Sequence, residues 1–395
     1  MFKSRDVGTM SIYNHERALE RTEERIENAA YSEENKRLII RFENFLFAQG
    51  LSTPRVLKYL QQLHIISQDL GINFRDAAKD DIEYYVAKLE RSNKKDWTKH
   101  DYKQCIKRFY KWLNDEEEPK ITSWISLRIR QSKMLPEELL TEEDIVRMIE
   151  SKTHPRDKAI IAIWYDNGAR VGENGNVKIK HVSFDKYGAY VLIGKEDGKT
   201  GMRRVRLVFS VPYLAAWLDI HPQKHDPNVY LWTRLEGKEI GKQLKYESLR
   251  KVIKSAAEKA GVEKRVYNHL FRHSRSTDLA QYLTESQMKE HLGWVQGSNM
   301  PQTYVHLSGK QIDEAILKIH GIIKEEDTMP QLTSTACPRC GQVNGPTSTF
   351  CSRCGMALRV DVAVDIEKKR SDIAMALMEL VEKEPEIAKI LRESV

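Results

Sequence analysis

The chain has 395 residues, 41% hydrophobic and 31% charged, a composition that suits packed domains and excludes wholesale disorder. At roughly 100–200 residues per domain, this length allows two or three domains. It holds no run of 18 apolar residues and opens on a polar stretch of mixed charge, so neither a membrane span nor a secretory leader is expected.

The net charge of +7 is unevenly spread. Residues 1–150 carry 26 Lys and Arg against 27 Asp and Glu, whereas residues 151–310 carry 27 against 16. Residues 311–360 balance at 5 against 5, and residues 361–395 hold 6 against 9. The positive excess therefore lies in one segment, as expected of a domain that faces a polyanion.

Residues 1–30 read as a solvated helical lead rich in Glu and Arg (Glu16, Arg17, Arg21, Glu23, Glu24, Arg25). Residues 31–118 predict a small all-helical domain. Leu38, Ile39, Phe42, Phe45 and Leu46 share one helical face, as do Ile82, Tyr85, Val86 and Leu89, then Tyr102, Ile106, Phe109, Tyr110 and Leu113. Gly50 and Gly71 fall where helices should stop. Asp115 to Pro119 breaks the pattern, and residues 119–138 form a linker.

A second domain is expected over residues 139–326. Thr141 and Asp144 have capping-box spacing at its first helix. Ala189–Ile193, a Gly/Lys/Asp turn and Arg203–Phe209 predict a β-hairpin. Helices follow at Tyr246–Ala260 and Asn268–Leu283, and Thr284 with Gln287 caps another. Residues 327–336 link to a cysteine module at 337–358, and residues 361–395 predict a final helix. Its Ile373, Leu377, Leu380 and Val381 form a stripe that needs something to pack against, and Pro385 kinks or ends it.

Four of the five cysteines lie in two CxxC turns, Cys337-Pro-Arg-Cys340-Gly and Cys351-Ser-Arg-Cys354-Gly. Two such turns deliver four thiolates to one tetrahedral ion, so the module looks like a zinc ribbon with a structural zinc and no open coordination position. The glycine after each pair allows the positive φ of such a turn. Cys105 lies in an apolar helical pattern and reads as a small core residue.

Within the basic segment lie Gly168-Ala169-Arg170-Val171-Gly172-Glu173, Gly198-Lys199-Thr200-Gly201, His269-Leu270-Phe271-Arg272-His273, Leu292-Gly293-Trp294 and Tyr304-Val305-His306. Each is weak alone. His269 and Arg272 are three apart on a helix and share a face. Two arginines, a lysine and a histidine around one point suit a phosphate in a crowded, charged transition state, and a tyrosine can supply the nucleophile.

These motifs, in this order, resemble the tyrosine recombinases, or lambda-type integrases, over about residues 30–310. The resemblance implies a multidomain, mainly α fold: an all-helical, SAM-like core-binding domain, then an α/β catalytic domain, together clamping duplex DNA. By motif match the catalytic set is Arg170, Lys199, His269, Arg272, Trp294 and Tyr304. Lys195 is the rival for the lysine; the Lys-Thr-Gly context favours Lys199. Glu173 reads as holding the arginine or a helix end, and His273 and His306 read as structural neighbours. Two positions depart from the family's pattern. Trp294 stands where histidine is commoner, although an indole N–H can still donate to phosphate. Asn174 stands where the box continues with an apolar residue, which would loosen local packing.

The resemblance further implies site-specific DNA strand exchange through a 3′-phosphotyrosine, with no metal or nucleotide at the reaction centre. It implies self-association as a tetramer on paired double-stranded DNA sites, no membrane, and a cytoplasmic, nucleoid-associated location. A type IB-like topoisomerase and a non-catalytic zinc-ribbon DNA-binding protein are the alternatives.

Overall fold

The computed structural model describes residues 12–129, 135–194, 201–305, 316–317, 319–322 and 332–383. They fall into two compact units, one of residues 13–129 and one that joins Ile12 to residues 135–383.

The first unit is helical throughout its described residues, with α1 (His15–Glu27), α2 (Glu33–Ala48), α3 (Thr53–Leu70), α4 (Lys79–Arg91) and α5 (Asp96–Asn114). Ser32 caps α2, and its hydroxyl accepts the Asn35 N–H at 3.3 Å. Gly71 ends α3 in the left-handed region at φ 70°. The apolar faces expected from the periodicity converge: Leu38, Ile39, Phe42, Leu46, Ile82, Tyr85, Leu89, Ile106 and Phe109 are buried in one cluster. Cys105 is buried, its Sγ 3.9 Å from the Tyr59 carbonyl. Buried Asn35 ties the helices to the turn after α3, donating to Ser67 Oγ and the Ile72 carbonyl and accepting from the Phe74 N–H.

The expectation of a solvated lead needs correction. The polar face of α1 is exposed, but the helix packs on α3 and buries Thr22 and Ile26, the latter within the core. Its apolar positions are too sparse to show periodicity, yet Ile26 and the partly buried Leu19 seat it on that core. The segment read as a linker also contributes Ile125 to that core.

In the second unit, α6 (Glu142–Glu150) opens on the expected capping box: the Thr141 N–H donates to Asp144 Oδ2 at 3.0 Å, and the Asp144 N–H to Thr141 Oγ1 at 3.2 Å. Next comes α7 (Pro155–Asn167), buried throughout from Ala159 to Asn167, followed by the short α8 (Val171–Gly175). A three-stranded antiparallel sheet comes next, in the order β1 (Val182–Asp185), β2 (Gly188–Gly194), β3 (Met202–Leu207). The hairpin pairs Ile193 with Arg203 and Gly194 with Met202. Ala189, Val191, Ile193, Val205 and Leu207 face inward, and β3 packs against α7. The remaining helices are α9 (Val211–Asp219), α10 (Tyr246–Lys259), α11 (Asn268–Leu279), α12 (Glu285–Leu292) and α13 (Met300–Val305). Thr284 and Gln287 cap α12 reciprocally.

Beyond them, β4 (Thr335–Ala336) and β5 (Val343–Asn344) pair in the cysteine module. The module rests on α9: the Tyr213 hydroxyl lies 2.5 Å from Thr347 Oγ1 and accepts the Thr347 N–H at 3.2 Å. The last helix, α14 (Val360–Lys383), leaves its apolar stripe uncovered, with Ile373 61% and Leu377 43% exposed. The side chains of Leu380 and Val381, and Pro385, lie outside the described residues.

Candidate functional site

Helix α7 ends at Gly168, whose φ of 57° turns the chain so that Arg170 becomes the residue preceding α8. A side chain at Gly168 would press on Arg275 and Leu292 at 3.2–3.3 Å, so the turn is close-packed as well as left-handed. The turn is braced by two buried amides: Asn167 Nδ2 donates to Asn174 Oδ1 at 2.7 Å, and Asn174 Nδ2 returns a bond to Asn167 Oδ1 at 3.2 Å. Asn174 therefore does not loosen the box, because each buried amide satisfies the other.

Arg170 donates from its backbone N–H to Glu173 Oε2 at 2.8 Å and from Nη1 to Glu173 Oε1 at 3.1 Å. Its side chain stays 44% exposed. Arg272, on α11, is 1% exposed, with Nη1 on the Gly168 carbonyl at 3.1 Å and Nη2 on the Leu292 carbonyl at 2.7 Å. Burial, aided by the charge of Arg170, lowers its pKa to about 10. Its guanidinium carbon lies 5.4 Å from the centre of the Trp294 ring.

Trp294 stacks on Tyr304, with ring centres 5.4 Å apart and planes within 12°. Tyr304 is 1% exposed, and its hydroxyl lies 2.8 Å from His273 Nδ1. Burial raises the phenol's pKa, while Arg272 pulls it in the opposite direction. His269 and His273, four apart on α11, meet edge to face at 4.5 Å. Partial desolvation, with His273, Arg272 and Arg170 nearby, holds His269 down to about 4. Burial and Arg272 likewise lower His273. Both imidazoles are neutral at neutral pH.

The structure thus gathers Arg170, His269, Arg272, Trp294 and Tyr304 at one end of α7 and α11. Lys199 and its rival Lys195, which follow β2 and precede β3 in the sequence, lie outside the described residues, and so does His306. Two residues gain roles the sequence reading did not give them. His273, read as a neighbour, touches the Tyr304 hydroxyl; its position one helical turn after His269 is a signal for the same face. Arg203 binds Glu173 through two parallel bonds of 3.0 Å each. Its strand parity, in phase with inward-facing Val205 and Leu207, marks it as pointing inward.

In the cysteine module the four Sγ atoms of Cys337, Cys340, Cys351 and Cys354 lie within 4.8 Å of one another. The close pairs are Cys337–Cys354 at 3.6 Å and Cys340–Cys351 at 3.5 Å, and none of these cysteines is in a disulfide. An ideal tetrahedral zinc with bonds of about 2.3 Å sets its sulfurs about 3.8 Å apart, so the donor set fits that ion. Gly341 and Gly355 take φ of 73° and 68° after each pair, as such turns require.

Residues 138–311 match the phage integrase family. Tyrosine recombinase XerD of Bifidobacterium longum (strain NCC 2705) is 25% identical over 293 residues, which cover 69% of this chain and 92% of that protein. Tyrosine recombinase XerA of Pyrococcus furiosus is 26% identical over 282 residues, covering 70% and 91%. Among solved structures, a XerH site-specific recombinase bound to palindromic difH substrate in a post-cleavage complex gives a TM-score of 0.54. The match is 16% identical over 80% of this chain and 98% of that one. A lambda integrase dimer bound to a COC′ core site gives a TM-score of 0.55 at 13% identity, over 69% of this chain and 77% of that one. The fold of the chain is the mainly helical recombinase fold with its small sheet. No helix among the described residues is long and apolar enough to cross a membrane.

Proposed function

We propose that this protein, a site-specific tyrosine recombinase that cleaves and rejoins DNA, uses Tyr304 as its nucleophile. The observation that carries this reading is the convergence of Arg170, Arg272 and Trp294 on a buried Tyr304 whose hydroxyl is hydrogen-bonded to a neutral imidazole.

Tyr304 Oη attacks the scissile phosphorus and the bond to the 5′-oxygen breaks, leaving a 3′-phosphotyrosine. The phenolic proton passes to an imidazole of the His269–His273 pair, because a free phenol at pKa ~10 is no nucleophile at neutral pH. The departing 5′-oxygen takes a proton from a lysine of the β2–β3 turn, Lys199 with Lys195 as rival. Arg170 and Arg272 neutralise the non-bridging oxygens, and the Trp294 indole donates to one of them. Attack by a 5′-hydroxyl from a second strand reverses each step.

Residues 139–326 carry the chemistry, and the helical domain, residues 31–118, grips duplex DNA. Four protomers act on two paired sites in the cytoplasm, on nucleoid DNA. The cysteine module, residues 337–358, is a ribbon in which Cys337, Cys340, Cys351 and Cys354 would hold one structural zinc. Bound there, the ion cross-links the two CxxC turns and does no chemistry.

A nicked suicide duplex, whose short 5′ fragment diffuses away after cleavage, together with a supercoiled plasmid carrying two sites, tests the reading against its alternatives. Covalent trapping together with exchange between two sites is expected. Relaxation of supercoils without exchange would make the protein a topoisomerase, and binding without an adduct would make it a non-catalytic DNA-binding protein.

A further inference from the structure

Arg203 enters the site from β3 and is nearly fully buried, its side chain 8% exposed. Its three donor nitrogens are all committed. Nη1 and Nη2 each lie 3.0 Å from one oxygen of Glu173, and Nε donates to the His291 carbonyl at 2.9 Å. A Cβ on Gly293 would come within 2.6 Å of Nη1, so the chain just before Trp294 lies directly against this guanidinium.

A carboxylate offers about four lone-pair sites. On Glu173 Oε1 they take Arg203 Nη1 and Arg170 Nη1; on Oε2 they take Arg203 Nη2 and the Arg170 backbone N–H. The carboxylate is saturated, and the Arg170 guanidinium makes only a single end-on contact with it. The charges balance in the same way: Glu173 and Arg203 cancel, so Arg170 and Arg272 present two positive charges to the phosphate. Although burial alone would raise the Glu173 pKa, the Arg203 guanidinium holds it below the usual carboxylate value.

We propose that Arg203 is a positioning residue that keeps Arg170 available to the scissile phosphate by occupying the Glu173 carboxylate. This rests on the reading that Arg170 contacts that phosphate. Without Arg203, a half-sequestered carboxylate with two empty lone pairs faces Arg170 at hydrogen-bond distance. It takes up that guanidinium in a side-on pair and cancels its charge.

The test measures single-turnover cleavage of two suicide duplexes, one with a normal scissile phosphate and one with a neutral methylphosphonate, which needs less cationic stabilisation. Arg203→Met is expected to cleave the normal duplex about 10²-fold more slowly, with DNA affinity within a few-fold, as loss of one charge-stabilising donor does. Its defect should fall below about tenfold on the methylphosphonate, and adding Glu173→Gln should recover at least about tenfold on the normal duplex. Arg203→Lys, which keeps a cation but cannot cover both oxygens, should lie in between and serves if the Met variant misfolds. Equal defects on both duplexes, with no recovery from Glu173→Gln, would make Arg203 a structural pin and overturn the proposal. Arg170→Ala is run alongside: if it cleaves the normal duplex at the wild-type rate, the reading of Arg170 fails, whatever Arg203 does.

Discussion

The Tyr304 hydroxyl and His273 Nδ1 lie 2.8 Å apart in a pocket that leaves the tyrosine 1% exposed. A neutral imidazole protonated on Nε2 accepts from the phenol there, and in the proposed mechanism the same atom takes the phenolic proton during attack. His269, the histidine of the resemblance, meets His273 edge to face at 4.5 Å. His273→Ala is therefore expected to slow single-turnover cleavage by about 10²-fold or more, in the range typical of proton-transfer catalysis. A loss under about threefold would mean that the proton leaves through His269 alone. The pH dependence follows from the same pair. Both imidazoles are held below their ordinary value, His269 at about 4, so the neutral forms persist as pH falls past 6.5. Cleavage should stay level from pH 8 to 6.5 and decline only at lower pH. Cleavage that falls as pH rises from 6.5 to 8 would show that an imidazolium is required.

The two arginines should separate in their effects. Arg170→Ala removes a half-exposed guanidinium and should cost about 10²–10³ in cleavage rate with the melting temperature nearly unchanged. Arg272→Ala strips the Gly168 and Leu292 carbonyls of their donor inside the protein. Each buried unsatisfied group costs about 1–3 kcal/mol, so this variant should lose rate and several degrees of melting temperature together. Paired rate and melting measurements check this; an unchanged melting temperature for Arg272→Ala would contradict the pinning role.

For the lysine, the flanking strands fix only where the turn begins and ends, with Gly194 opposite Met202. Lys199→Ala is expected to be rescued by a 5′-phosphorothiolate substrate, whose sulfur leaves without protonation, while Lys195→Ala behaves nearly as wild type. The reverse ranking would assign the general acid to Lys195.

In the cysteine module, one zinc per chain is expected from elemental analysis, and Cys340→Ser should lower that content well below one. Binding of the metal is also the folding energy of so small a module. Because Thr347 and Gly345 sit against Tyr213 of α9, losing the metal should also free this contact. Truncation after Lys324 should still permit the covalent adduct while weakening assembly on paired sites, read by sedimentation on DNA. Lost cleavage with unchanged assembly would make the C-terminal region part of the active clamp.

Local chemistry made much of this legible. The capping pairs Thr141–Asp144 and Thr284–Gln287, the hairpin around Ile193 and Arg203, and the helical faces of residues 38–46 all arise from neighbours within a few positions. Helix α9 was not legible, because Val211-Pro-Tyr-Leu-Ala-Ala-Trp-Leu-Asp219 is apolar nearly all round and shows no period. Strand β1 is four residues long and stands only by pairing with β2. The site divides in the same way. His269 and Arg272 share a helix face by spacing alone, but the Asn167–Asn174 amide pair joins residues across a turn. The Arg203–Glu173 pair spans 30 positions, and the Tyr213–Thr347 contact spans 134. Tertiary folding alone creates such contacts, and no periodicity announces them.

In the proposed reaction Tyr304 forms the covalent bond to DNA. The direct measurement is mass spectrometry of the protease-digested adduct trapped on a nicked suicide duplex, run beside Tyr304→Phe. A nucleotide remnant on the peptide containing Tyr304, and no adduct from Tyr304→Phe at near-normal DNA binding, is the predicted result. An adduct that persists in Tyr304→Phe, or that maps to another residue, would contradict the account.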